Sequence, residues 1–196
     1  CIEPISHPIH FHRIETGIHV KDTDLIYHID SMDTPARRRD LNIDCHIALD
    51  GLRSLYNVGA VMRICDAAGF DSVILHNVLG KEKPKVKKTA MGAEKWITQE
   101  KTDDLYSFLI RKKSQGYRII GVETIPEAKS CHQMMWQKKT ILVLGNEEYG
   151  ISSHTLTACD DFVFLPMYGR KNSINVAACA AVICFDIAAR LSHPEE

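Results

Sequence analysis

The 196-residue chain is short of several features that would define a protein class at once. It has no run of 18 apolar residues, so no membrane-spanning helix is expected. No signal peptide is visible. The chain starts at Cys1 rather than Met, as a trimmed or partial chain would. It has no CxxC pair, and its seven cysteines (1, 45, 65, 131, 159, 179 and 184) are odd in number and match no zinc-binding spacing. Cys65, Cys179 and Cys184 fall in apolar helical patterns, so the cysteines read as reduced, buried thiols of a cytoplasmic protein. The GxGxxG fingerprint of dinucleotide-binding folds and the Lys-Ser/Thr of a phosphate-binding P-loop are both missing. An excess of charge is missing too. A net charge of -1 and a pI near 6.9 exclude a histone-like coat, although a local basic patch remains able to steer a nucleic acid.

What is present is ordinary for a globular domain: 45% hydrophobic and 25% charged residues, enough for a sizeable core. Residues 1–43 differ from the rest. They hold His7, His10, His12, His19 and His28 and the run Arg37-Arg38-Arg39, with weak periodicity and no defensible metal site. They read as an extension of unclear role, with residues 44–196 as the folded domain.

From Cys45 the pattern becomes regular. Strands are expected at His46–Leu49, Ser72–Leu75, Tyr117–Val122, Thr140–Leu144 and Phe162–Leu165. Helices are expected at Asn57–Gly69, capped by Asn57 and stopped by Gly69, at Thr102–Gln115, and at Ser173–Leu191, capped by Ser173. The last is apolar nearly all round in its first half and is expected to be buried. Alternation at this spacing predicts an α/β domain with a mainly parallel sheet flanked by helices. Ligands of such sheets bind beyond the carboxyl ends of the strands.

Three segments leave those ends. In Asn57-Val-Gly-Ala-Val-Met-Arg63 a glycine in the first helical turn permits close backbone approach, and a helix N-terminus favours an anion. Taken alone it is also an ordinary capped helix with a surface arginine. In Leu142-Val-Leu-Gly-Asn-Glu-Glu-Tyr-Gly-Ile151 two glycines bracket a polar tetrapeptide, which implies a tight loop with its backbone towards a ligand. In Leu165-Pro-Met-Tyr-Gly-Arg-Lys-Asn-Ser-Ile-Asn-Val-Ala-Ala178 a polar loop runs into the apolar helix, with Asn175 an unexpected polar residue in its first turn.

In order and spacing, these segments together resemble the three motifs of the SpoU (TrmH-like) RNA ribose methyltransferases of the SPOUT class. Lys88-Thr-Ala-Met-Gly-Ala93 resembles the family's connecting segment. The resemblance covers about residues 44 to 191. It implies an α/β fold with a C-terminal deep trefoil knot and a homodimer formed through the knot region. The implied cofactor is S-adenosyl-L-methionine, and the implied reaction is methyl transfer to a ribose 2'-hydroxyl of tRNA or rRNA. Carried over by position, it implies a catalytic set of Arg63, Asn57, Glu147, Ser173 and Asn175. Glu147 would hold Arg63 or the knot loop. The implied cofactor pocket uses Glu123, Leu144, Gly145, Leu165, Met167 and Ile174. Glu148 stands where the family often has a small residue. The segment Lys81–Lys95 carries six lysines against two glutamates, with Lys85, Lys87 and Lys88 as candidate RNA contacts. A base methyltransferase, an inactive RNA-binding relative and a flavodoxin-like enzyme are the competing readings. No metal is implied.

Overall fold

The structure, a computed structural model, describes residues 43–78 and 83–192. The 1–42 part of the extension, with its histidines and arginine run, lies outside the described residues, as do Lys81 and the side chain of Lys83. The chain order is β1 (Asp44–Asp50), α1 (Leu55–Ala68), β2 (Ser72–His76), α2 (Lys83–Ala90), a 3-10 turn at Ala93–Lys95, and β3 (Thr98–Thr102). Then come α3 (Leu105–Ser114), β4 (Arg118–Val122), β5 (Lys129–Ser130), β6 (Lys139–Leu144), α4 (Ser153–Leu156), β7 (Asp161–Phe164) and α5 (Val176–Ser192).

The seven strands of the described residues form one sheet in the order β3-β2-β1-β6-β4-β7-β5, and each of its pairings is parallel. Strand β1 is central and almost wholly buried, and its side chains alternate between two cores. Ile47 and Leu49 face the layer that contains Val58, Val61 and Cys65 of α1 and Ile183 and Cys184 of α5. Ala48 faces the layer of Leu105, Phe108 and Leu109 of α3. The α/β class with a parallel sheet is therefore as expected from the sequence.

Several boundaries differ from the sequence reading, each for a local reason. Helix α1 is capped by Ser54, not Asn57. Ser54 has extended dihedrals, and its hydroxyl accepts from the Asn57 amide at 3.4 Å. Gly69 does end the helix, in the left-handed region at φ 77°. Helix α5 starts at Val176 and not at Ser173, because the Asn175 side-chain oxygen accepts from the amides of Ala177 (2.9 Å) and Ala178 (3.3 Å). Ser173 is exposed and caps nothing. Thr102 belongs to β3, and α3 begins at Leu105 behind the cap Asp104. Helix α5 is also less enclosed than its composition implies: Val182 and Phe185 remain 42% and 49% exposed.

Gly59 does admit a close backbone approach, as expected. The backbone that approaches it closely is that of α2. A Cβ there would lie 2.4 Å from the Val86 carbonyl oxygen and 2.1 Å from the Thr89 hydroxyl. The absent side chain lets two helices cross in contact.

Candidate active site

Strand order reverses at β1, with β2 on one side and β6 on the other, and the loops that follow β1 and β6 meet above this switch point. Glu147 holds them together. Its carboxylate accepts from the main-chain amides of Arg53 (3.0 Å) and Ser54 (3.2 Å) and from Asn57 Nδ2 (2.8 Å). The Arg53 guanidinium pairs with Glu148. Asn146 Nδ2 donates to the Gly51 carbonyl at 2.6 Å, and Asn146 Oδ1 accepts from the amides of Glu148 and Tyr149. Partial burial raises the pKa of Glu147, but the three donors outweigh it and hold the carboxylate below its ordinary value.

Asn57 passes the connection on. While Nδ2 donates to Glu147, Oδ1 accepts from Asn175 Nδ2 at 3.1 Å. Asn57, Glu147 and Asn175, drawn from three segments far apart in sequence, thus form one hydrogen-bonded row. Asp50, at the end of β1, is buried and accepts from the Ser152 amide and from His76 Nδ1, both at 2.9 Å. Burial pushes the Asp50 carboxyl up, yet the bonds from Ser152, His76 and Thr155 bring it below its usual range.

The structure does not bring Arg63 into this row. Six residues beyond Asn57, it lies roughly 9 Å along α1 and about 120° around it. It is exposed and makes no hydrogen bond or ion pair among the described residues. Glu147 braces the loop after β1 through Arg53, Ser54 and Asn57 and makes no bond to Arg63. Ser173 stands outside the row as well.

The residues expected around a cofactor lie at the carboxyl ends of β4, β6 and β7. Gly145 and Gly150 face each other across a closed loop, where the amides and carbonyls of Asn146 and Gly150 exchange two 2.9 Å bonds. A Cβ on Gly145 would sit 2.1 Å from the Gly150 carbonyl carbon, so this glycine serves the loop's own closure. The Glu123 carboxylate accepts from the Ile151 amide at 3.1 Å and braces the same loop. The Leu144 side chain is buried in the core, Leu165 and Met167 are half-buried, and Ile174 is 47% exposed. From Leu165 to Ile174 no main-chain group bonds to another described residue. Leu165 to Met167 are half-buried and residues 168–174 exposed, so this main chain is open to water or to a ligand. This stretch beside apolar Leu165 and Met167 therefore fits an adenosyl group, which takes main-chain bonds and apolar walls.

Lys85, Lys87 and Lys88 are exposed on α2. Sequence reasoning missed Asp50, Arg53, Ser54 and Asn146. The position of Asp50 and Asn146 at or just after apolar strands was the available signal. Among the described residues no cluster of three potential ligands is placed to hold a metal ion. None of their helices is long and apolar enough to cross a membrane.

Fold and site together define a ligand-binding α/β domain with its polar centre at the switch point of a parallel sheet. Comparison with known proteins narrows the class. Residues 44–185 match the model of the SpoU rRNA Methylase family. A tRNA (guanosine(18)-2'-O)-methyltransferase of Aquifex aeolicus is 28% identical over 143 residues, 73% of this chain and 68% of that protein. The 23S rRNA (guanosine-2'-O-)-methyltransferase RlmB of Pseudomonas aeruginosa is 34% identical over 143 residues, 72% of this chain and 57% of that protein. The crystal structure of the A. aeolicus TrmH/SpoU tRNA modifying enzyme superposes with a TM-score of 0.70 at 26% identity, covering 76% of this chain and 78% of that one. This chain belongs to the SpoU methylase family.

Proposed function

We propose that this protein transfers a methyl group from S-adenosyl-L-methionine to a ribose 2'-hydroxyl of tRNA or ribosomal RNA. The observation that carries the reading is the Asn175–Asn57–Glu147 row, which ties the three family segments together at the switch point. The similar proteins named above are tRNA and rRNA guanosine 2'-O-methyltransferases.

When bound, the cofactor supplies an activated methyl group. The unpaired main chain of residues 165–174 holds and orients it beside Leu165 and Met167, with the loop of Gly145 and Glu123 behind. Asn57 and Asn175 position the ribose, and Glu147 keeps Asn57 in place. A guanidinium stays protonated at neutral pH, so Arg63 serves to grip a phosphate and to stabilise charge on the reacting oxygen. Alignment of the two reactants supplies up to about 7–11 kcal/mol in favourable cases.

The reading includes four further elements. One is the C-terminal knot. Another is a homodimer, supported by the exposed Val182 and Phe185 on α5 and by an Arg63 that has no partner among the described residues of its own chain. The third is a reducing, cytoplasmic setting, supported by six free thiols among the described residues. The fourth is contact of Lys85, Lys87 and Lys88 with RNA phosphates.

Calorimetry with S-adenosylhomocysteine, a tritium-methyl assay on total tRNA and rRNA, and a nucleoside digest of the product form the test. Saturable binding and a methyl that stays with the sugar after base release are expected. A methyl on the base, or cofactor binding without transfer to any RNA, overturns the reading. Sedimentation tests the dimer.

A further inference from the structure

At the other end of the same sheet edge lies a cavity of about 700 Å³, between α1, α2 and the carboxyl ends of β2 and β3. That volume lies within the range of small-ligand sites. Its apolar wall is built by Leu55, Val58 and Met62, which share one face of α1, together with Leu75 of β2. Lys87 and Lys101 stand at its polar side. Strand β2 is two positions from β6, roughly 10 Å at ordinary strand spacing. Asn57 lies in the same turn of α1 as Leu55 and Val58. The cavity, the polar row and the cofactor segment therefore follow one another along one edge, over a span comparable with a nucleoside bound at the row.

Glu94 lines this cavity from the turn between α2 and β3. The turn is fixed by Gly92 in the left-handed region at φ 95° and by Gln99, whose side-chain amide donates to the Glu94 carbonyl at 3.1 Å. The Glu94 carboxylate is otherwise unused. Its Oε2 is buried with no hydrogen-bond partner, the sole such side-chain atom among the described residues. A carboxylate is acceptor-only, and a buried acceptor without a donor is costly. Adjacent N–H donors from a ligand relieve that cost.

Among the RNA bases only guanine presents two adjacent donors, N1–H and the exocyclic N2–H, on one edge. Adenine and cytosine place a bare ring nitrogen beside their amino group, and uracil flanks its N–H with two carbonyl oxygens. Each of these sets an acceptor against the carboxylate. We propose that the cavity receives a guanine base of the RNA, with the Glu94 carboxylate accepting from N1–H and N2–H and the apolar face of α1 packed against the ring. The proposal rests on the reading of the chain as an RNA methyltransferase, and it makes Glu94 the residue that selects the base.

The test is NMR titration of the full chain with 5'-GMP, 5'-IMP, 5'-AMP, 5'-CMP and 5'-UMP, with S-adenosylhomocysteine titrated separately. IMP keeps N1–H and lacks only the N2 amine. GMP is expected to shift the Met62 methyl signal and to bind about tenfold or more tighter than IMP, as a bidentate contact implies. Glu94→Gln should abolish that preference while S-adenosylhomocysteine binding stays unchanged. Equal binding of GMP and IMP, absence of nucleotide binding, or an intact preference in Glu94→Gln overturns the proposal. The GMP/IMP ratio of the unaltered protein decides the matter even if Glu94→Gln fails to fold. A firm GMP preference without any S-adenosylhomocysteine binding leaves the guanine site standing and removes the methyltransferase reading instead.

Discussion

Asn175 Nδ2 donates to Asn57 Oδ1 across 3.1 Å, although the two residues are 118 positions apart. The same Asn175 caps α5 through its side-chain oxygen. Two functions on one amide can be separated by substitution. Asn175→Asp keeps the capping oxygen and removes the donor to Asn57. Its melting temperature should stay near that of the unaltered protein, while methyl transfer falls by about tenfold or more, the cost of one bond lost beside a charged partner. Asn175→Ala loses both and should also lose about 1 kcal/mol of stability with the cap. Equal activity in Asn175→Asp and the parent would detach the row from the reaction.

Arg63 is exposed and makes no bond among the described residues, so its removal should leave stability within about 0.5 kcal/mol. Arg63→Ala should nevertheless abolish methyl transfer and leave S-adenosylhomocysteine affinity largely intact. Urea unfolding, calorimetry and the tritium assay on the same preparation check the three parts. Full activity in this variant would take the guanidinium out of the mechanism.

At Gly59 the expected effect is structural. A Cβ would meet the Val86 carbonyl oxygen at 2.4 Å, and a main-chain atom cannot move aside without shifting α2. Gly59→Ala should cost about 1–3 kcal/mol, read as a lower urea midpoint with an unchanged slope. Because α2 carries Lys85, Lys87 and Lys88, RNA affinity should weaken in the same variant.

The sequence made the central strands legible because they are apolar runs between turn residues. Residues 141–144 and 119–120 are fully or almost fully buried, as such runs should be. Strand β3 was not legible: Thr98–Thr102 reads Thr-Gln-Glu-Lys-Thr, an edge strand with no alternation. Helix starts differ from the sequence expectation where two polar residues compete for the cap. Ser54 and Asn57, or Ser173 and Asn175, are equivalent by residue type, and only the backbone dihedrals and the amides in reach decide between them. The row of Asn57, Glu147 and Asn175 was nameable by resemblance, but its wiring was not. That Glu147 grips the loop after β1 follows from strand order, which places β6 beside β1, and strand order is a long-range property.

The amino-terminal end of the sheet supplies a pH dependence. His46 is buried between Ser72 Oγ at 2.8 Å, Tyr117 Oη at 3.1 Å and Asp44 at 2.9 Å. Burial lowers its pKa below the ordinary 6.5; the Asp44 carboxylate opposes this without reversing it. In the unfolded chain the ring titrates near its ordinary value, so below that pH the unfolded state binds more protons than the native one. Stability from this residue is therefore fully present above about pH 6.5 and is lost as pH falls towards the depressed native value. The slope for one such group is at most about 1.4 kcal/mol per pH unit. Urea midpoints should decline from pH 7.5 to 5.5, and the decline should be shallower in His46→Gln, which retains a side-chain donor and acceptor but cannot titrate. An identical decline in both proteins would show that other groups set the acid limb.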